Sequence, residues 1–415
     1  MVSGLYPAFV LSSFKPIAVL HGKVKNSSRG VVLRKVLVVF QFAMSLAMII
    51  GTLTIYEQMN YMLNQDLGME LDQTVVVERP SKIDTSFTVN LNNQKRFKDE
   101  LGKYTSIKSI GMGGMLPGKK LRFRTIIRTP SQSQQQAVPF SISSMDYDLA
   151  NTLNIEVVAG RKFHRDFQDH LDTVVLITQN GARALGFENP EDALNKRLVI
   201  DRFGGLQVKI IGILKDFHQE HLREAKSPIL FFMARGTSEY YMIKINSDDV
   251  GKTVAEIEQQ WYNAYPGNPF HYFFLDEYFN SYYESDRQFR DLFVVFAVFA
   301  MLIGCLGLFG LSSFMAVQRT KEIAIRKVLG SSILGIVNLL SRQFLILIGI
   351  ATILTWPLVY LAIKKWLEGY AYRIELGWSS FLISGMMIVV IALLTISYHT
   401  FRSANANPVD ALNYE

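Results

Sequence analysis

The chain has 415 residues, of which 49% are apolar and only 19% charged, a balance that argues against a wholly soluble protein. Its one cysteine excludes a disulfide framework, and the formal charge of +7 gathers beside apolar runs rather than in a patch suited to nucleic acid.

The opening segment, 1–35, carries Lys15, Lys23, Lys25, Arg29, Arg34 and Lys35 and no acid. Residues 36–55 then form an apolar run of the length, about 20 residues, that crosses roughly 30 Å of hydrocarbon as a helix. The run is too far from Met1 for a signal peptide and lacks a small-residue cleavage site, so it reads as an uncleaved anchor.

Residues 56–291 alternate strand and helix patterns. "QTVVVERP" and "LQVKIIGIL" read as strands, while "NNQKRFKDELGKY" and "VGKTVAEIEQQWYNAY" read as amphipathic helices, the second apolar at Val254, Ile257, Trp261 and Ala264. This predicts an α+β domain, with "RTPSQSQQQAVP" as a flexible polar loop. "YEQMNYML" and "DEYFNSYYESDRQFRDLF" keep helical spacing, so the two ends of the domain read as a helical stalk; Tyr56, Tyr61, Tyr278, Tyr282 and Tyr283 pack it or anchor it at an interface.

Residues 292–317, 344–363 and 378–398 repeat the spanning signal, and none of the four runs holds an ionised side chain. The loop 318–343 is basic, through Arg319, Lys321, Arg326 and Lys327. Basic loops mark the cytoplasmic side, which puts both termini (1–35 and 399–415) and 318–343 inside, and 56–291 and the short loop 364–377 outside. Gln41, Thr52, Thr54, Thr352 and Thr355 read as interhelical glue, Gly304, Gly307 and Gly310 as a close-packing stripe, and Trp356-Pro357 as a kink.

No catalytic motif survives inspection. "GGMLPGKK" has the spacing of a phosphate loop, but Lys120 replaces the Ser or Thr that would hold magnesium, so a turn is expected. "DFHQEH" brings His218 and His221 near Asp216, Glu220 and Glu224 without a full ligand order, and "HRDFQDH" is weaker still; no metal is expected at either. Cys305 lies inside a span, away from any nucleophile's setting.

"RTKEIAIRKVLG" sits between the second and third spans. As a helix it pairs Glu322 with Arg326 and gathers Ile325, Val328 and Leu329 on an apolar patch, which suits either anionic lipid or a cytosolic partner. Span order and this segment together resemble the MacB/FtsX-type permeases of ABC transporters. That family's signature is Glu, Ile or Val, Ala or Gly, Ile or Leu, Arg, three residues, Gly; Glu322, Ile323, Ala324, Ile325, Arg326 and Gly330 match it, and Ser331 departs where Ala is common. "MDYDLANTLNIEVVAGRKF", "ALGFENPEDALNKRL" and "IIGILKDFHQEHL" are similar to phrases of the family's periplasmic core domain.

The resemblance implies a multi-pass protein of the bacterial inner membrane with four transmembrane α-helices and a large α+β periplasmic domain. It implies a coupling helix, Arg319, Lys321, Glu322, Ile323, Ala324, Ile325, Arg326, Lys327, Val328, Leu329 and Gly330, docked on a cytosolic ABC ATPase. That separate subunit would bind the ATP and magnesium and do the hydrolysis, leaving this chain without cofactor or catalytic residue. Other implied partners are a second permease half or an identical mate, and a periplasmic adaptor or cargo: antibiotic, peptide, lipoprotein or a mechanical signal. "KPIAVLHG" near the start echoes "NPVDALNY" near the end, which reads as the second half of a tandem permease. The alternative is a sensor or regulator that binds a ligand or controls an envelope hydrolase; its inner segments are short for a signalling domain.

Overall fold

The computed structural model describes residues 28–82, 86–167, 169, 174–220, 222–234, 238–318 and 332–404. They divide into two compact units: one holds Tyr61–Arg287 with Gly369–Arg373, and the other holds the chain up to Asn60, Gln288–Glu368 and the chain from Ile374.

The first elements are α1 (Ser28–Leu63), β1 (Thr74–Glu78), α2 (Phe87–Leu101), β2 (Ile107–Gly113), β3 (Phe123–Arg128) and β4 (Val138–Met145). There follow α3 (Leu149–Thr152), β5 (Val157–Gly160), β6 (Val174–Thr178), α4 (Gln179–Ala184), β7 (Arg197–Ile200), β8 (Leu206–Leu214) and β9 (Ile229–Met233). The last are β10 (Tyr240–Ile245), α5 (Val250–Ala264), β11 (Tyr272–Phe274), α6 (Leu275–Ser281), α7 (Glu284–Gln318), α8 (Ile333–Leu367) and α9 (Ser379–Ala404).

Two hydrophobic cores organise the α+β unit. In one, β11, β1, β10 and β2 lie side by side as an antiparallel sheet, and α2 and α5 cover a face of it. Val75, Val77, Tyr241 and Ile243 alternate along their strands to meet Phe97, Leu101, Ile257 and Trp261, as a pleat with one face turned to helices requires. α5 forms where its apolar residues recur at helical spacing, and Asp249 caps it by accepting the Lys252 N–H at 3.0 Å.

The other core is enclosed. β4, β3, β7, β8, β6 and β9 pair in that order, and β9 returns to pair with β4, closing a ring of six strands. Phe140, Ile177, Ile200, Ile210 and Leu230 fill it. Ring closure leaves these strands little free edge to protect. The open sheet and the ring share one paired position, Gly113 opposite Met145.

Two helix expectations are corrected. The helix expected over "NNQKRFKDELGKY" begins earlier, at Phe87, and ends at Leu101. The loop "RTPSQSQQQAVP" joins β3 to β4 and includes a turn of 3-10 helix at Gln134–Gln136, closed by a capping box between Ser133 and Gln136, with Arg128 held 3.3 Å from Asp201. "DEYFNSYYESDRQFRDLF" is not one helix, because the chain turns at Tyr282 and Tyr283 between α6 and α7. Tyr283 is buried there, and its hydroxyl accepts the Leu222 N–H at 3.3 Å, which ties the turn to the segment after β8.

Among the described residues, four helices are long and apolar enough to span a membrane, over Lys35–Leu63, Glu284–Ser313, Ser341–Leu367 and Ser379–Tyr398, and the helical unit holds most of their length. Phe42, Leu46, Phe344, Ala351, Ala392 and Ile396 pack its centre. Gln41 donates from Nε2 to the Ile303 carbonyl, and Ser45 Oγ donates to that of Ala300 at 3.1 Å, so these polar groups do join helices. The threonines do not follow suit. Thr52 and Thr352 bond back to their own helices, and the hydroxyls of Thr54 and Thr355 are buried without a partner among the described residues. Gly307 faces Gln41 and Gly304 faces Ser45, whereas Gly310 meets nothing within 4 Å; the expected stripe shortens to two residues. α8 runs through Pro357 as one helix.

Candidate functional site

The residues expected to dock an ATPase, Arg319, Lys321, Glu322, Ile323, Ala324, Ile325, Arg326, Lys327, Val328, Leu329 and Gly330, lie outside the described residues. Among the described residues, a cluster of contacts gathers around Asp216–Glu224 in the α+β unit.

This segment leaves β8 and meets three other stretches of chain. The His218 N–H donates to the Leu67 carbonyl at 2.8 Å, just past the end of α1. Arg223 forms an ion pair with Asp286 in the first turn of α7. The same guanidinium lies 4.8 Å from the centre of the Tyr370 ring and donates to its hydroxyl at 2.9 Å, while the Arg223 carbonyl accepts the Ala371 N–H at 2.9 Å. Tyr370 and Ala371 belong to the loop between α8 and α9. A second ring of that loop, Tyr372, meets His218 edge to face at 4.7 Å. Arg223 therefore grips the start of the second spanning helix and the loop joining the third and fourth. Its planar fork suits both roles at once, a carboxylate on one side and an aromatic face on the other.

The turn read as a phosphate-loop decoy docks on this cluster. Gln219 Nε2 donates to the carbonyls of Leu116 at 2.7 Å and Lys119 at 3.0 Å, and the Gly118 N–H returns a bond to the Gln219 carbonyl at 2.8 Å. Gly118 has a φ of +92°, and a Cβ there would sit 3.1 Å from the Tyr282 ring, so the position needs glycine on two counts.

Electrostatics set the cluster's character. Burial, then the charge of Lys226, pushes His218 down to about 4, so the ring is neutral at physiological pH. Burial and the neighbouring Glu224 raise Glu220, while Lys120 and Arg124 pull the other way from 3.6 and 3.7 Å. His221 lies outside the described residues. Among the described residues no group of three or more His, Cys, Asp or Glu side chains is placed to hold a metal ion. In "HRDFQDH", His164 is exposed beside Asp166 and His170 is not described; the buried partner is Asp169, taken in a fork by Arg161 at 2.6 and 2.7 Å. Sequence reasoning passed over Arg223 and Tyr370; "DFHQEHLRE" drew notice for its histidines, when its arginine makes the longer-range contacts.

Residues 36–260 match the model of the MacB-like periplasmic core domain, and residues 294–408 match that of the FtsX-like permease C-terminal region. Among solved structures, the chain is similar to the periplasmic region of MacB from Actinobacillus actinomycetemcomitans, at 16% identity and a TM-score of 0.35, over 53% of this chain and 96% of that one. It is similar to the extracellular domain of the noncanonic ABC-type transporter YknZ from Gram-positive bacteria, at 13% identity and a TM-score of 0.33, over 48% and 97%. A domain of a putative permease protein from Porphyromonas gingivalis gives 12% identity and a TM-score of 0.33, over 48% and 88%. No curated protein matches.

Proposed function

Because the chain belongs to the family of ABC-type permeases that carry a MacB-like periplasmic core domain and an FtsX-like C-terminal region, we propose that it transmits ATPase-driven motion across the inner membrane to its periplasmic domain. Permeases of this family work with ABC ATPases and are not themselves the catalytic component. The ATP and magnesium then belong to a cytosolic partner, and 318–343 and both ends of the chain face it. The transmitted motion serves the efflux or extraction of a cargo, or carries a mechanical signal.

The observation that supports this reading is the double hold of Arg223 on Asp286 and on Tyr370 and Ala371. A displacement of the second spanning helix, or of the loop after the third, would act on one segment of the outer domain through these contacts. The spans hold no ionised relay in their apolar runs, so a conducting path finds no support there.

The inner half of the reading is tested at Ile325. A buried apolar anchor contributes about 1.5 to 3 kcal/mol, so Ile325→Asp, which also buries a charge, abolishes co-purification with the ATPase and permease-stimulated ATP turnover. A Lys321→Gln, Lys327→Gln double variant keeps both. If Ile325→Asp couples normally and the lysine variant fails, with membrane insertion intact in each, the segment is a lipid-surface helix and docking is wrong.

A further inference from the structure

Between β2 and β3 the chain borders a cleft of about 500 Å³ in the α+β unit, within the size range of small-molecule sites. Ile142 of β4, Leu206 of β8, Phe232 of β9 and Phe203 give it apolar walls. Lys119, Lys120 and Arg122 also line it, against Glu239 as the one acid. Two of the three cations have local partners: Lys119 donates to the Tyr240 hydroxyl at 2.7 Å, and Lys120 reaches Glu224 at 3.1 Å. Arg122 is exposed and makes no ion pair among the described residues.

A separate feature points to a ligand. Ser143 also lines the cleft; its residue is only 8% exposed, and its Oγ has no hydrogen-bond partner among the described residues. Buried polar groups are as a rule satisfied, so a buried hydroxyl left unpaired at the wall of a cavity is suited to a guest's acceptor. Gly114 leaves space beside that buried hydroxyl, since a Cβ there would come within 3.4 Å of Ser143 Oγ and 3.1 Å of Ser144 Oγ.

We propose that this cleft binds an amphipathic anion, an apolar body carrying one acidic head. The walls remove the body from water, Arg122 and the surplus of positive charge receive the head, and the Ser143 hydroxyl supplies a donor. A neutral amphiphile would leave Arg122 without a counter-charge, and a cationic one would be repelled.

The test uses the full chain in phosphatidylcholine nanodiscs without nucleotide or ATPase, so it succeeds or fails independently of motion transmission. The probe is a twelve-carbon carboxylate with a diazirine near the chain end; crosslinked peptides are mapped by mass spectrometry. Alcohol and ammonium analogues serve as comparisons. The carboxylate labels peptides containing Phe203 or Phe232 and half-saturates at a concentration about tenfold lower than the alcohol. Arg122→Glu removes that tenfold preference and leaves alcohol labelling in place. Phe203→Glu, at a half-exposed position, lowers labelling by both about tenfold. Labelling confined to the four spans would overturn the proposal, as would equal labelling of the cleft by carboxylate and ammonium probes.

Discussion

The α+β unit and the helical unit obey different solvents. In the first, ring and sheet close over their apolar side chains: Trp261, Phe97, Phe140 and Phe231 are fully buried. In the second, α7 leaves Leu306 70% exposed and Ile303 58% exposed, and α8 leaves Ile353 74% exposed. Such faces would be a liability in water and are ordinary against lipid, which is as apolar as leucine. Burial carries stability in the outer unit, whereas in the helical unit a few small and polar residues choose the contacts.

Substitution tests that contrast most strongly at two apolar residues. Trp261→Ala removes a side chain enclosed by Phe97, Tyr241 and Tyr265 and costs about 3 to 5 kcal/mol. Leu306→Ala costs less than about 0.5 kcal/mol in bilayer, because lipid replaces the lost contact. Unfolding of each variant in nanodiscs, followed by tryptophan fluorescence and helical circular dichroism, checks the pair; equal losses would erase the distinction.

A pH titration sharpens it within the outer unit. His218 falls from 6.5 when unfolded to about 4 when folded, so below pH 6.5 the unfolded chain binds a proton that the folded chain refuses. The stability is complete above pH 6.5 and is lost as pH falls toward 4, by about 3 kcal/mol. Lys226 acts in the same direction and Asp66 against it. His218→Gln lacks this term, so the wild-type-minus-variant difference in melting temperature falls as pH drops across that window. A difference independent of pH would mean that the ring titrates normally.

The membrane side predicts a smaller effect with a clear direction. A Cβ at Gly307 would lie 2.4 Å from Gln41 Oε1, so Gly307→Ala displaces an amide that bonds across two helices, at about 1 kcal/mol. Gly310→Ala, with open space, is neutral or slightly stabilising. Denaturation in mixed micelles orders the two, and the reverse order would remove Gln41 from the account.

Much of this was legible in residue order. Runs of about 20 apolar residues announce spans because the bilayer fixes their length, and Val254, Ile257, Trp261 and Ala264 announce α5 because one face must be apolar. The ring was not legible. Its closure pairs Ser141 to Met145 with Ile229 to Met233 in parallel, two segments far apart in sequence whose periodicity does not name a partner. β9 and β10 are buried on both faces, which erases the alternation that would mark their strands. Arg223 escaped for a related reason: its value lies in reaching Asp286 and Tyr370, and nothing in "HLREAK" encodes distance.

The claim that inner work moves the outer domain through Arg223 has a direct measurement. In a Cys305→Ala background, spin labels at Ser133 and Glu368 report a distance in the permease bound to its ATPase, with and without ATP trapped by a hydrolysis-deficient ATPase. With Arg223 present, the distance distribution shifts on ATP binding. With Arg223→Ala, ATPase binding persists, permease-stimulated turnover by the hydrolysing ATPase persists, and the shift is lost. An unchanged shift in Arg223→Ala, or no shift in the parent with ATP trapped, would contradict the account.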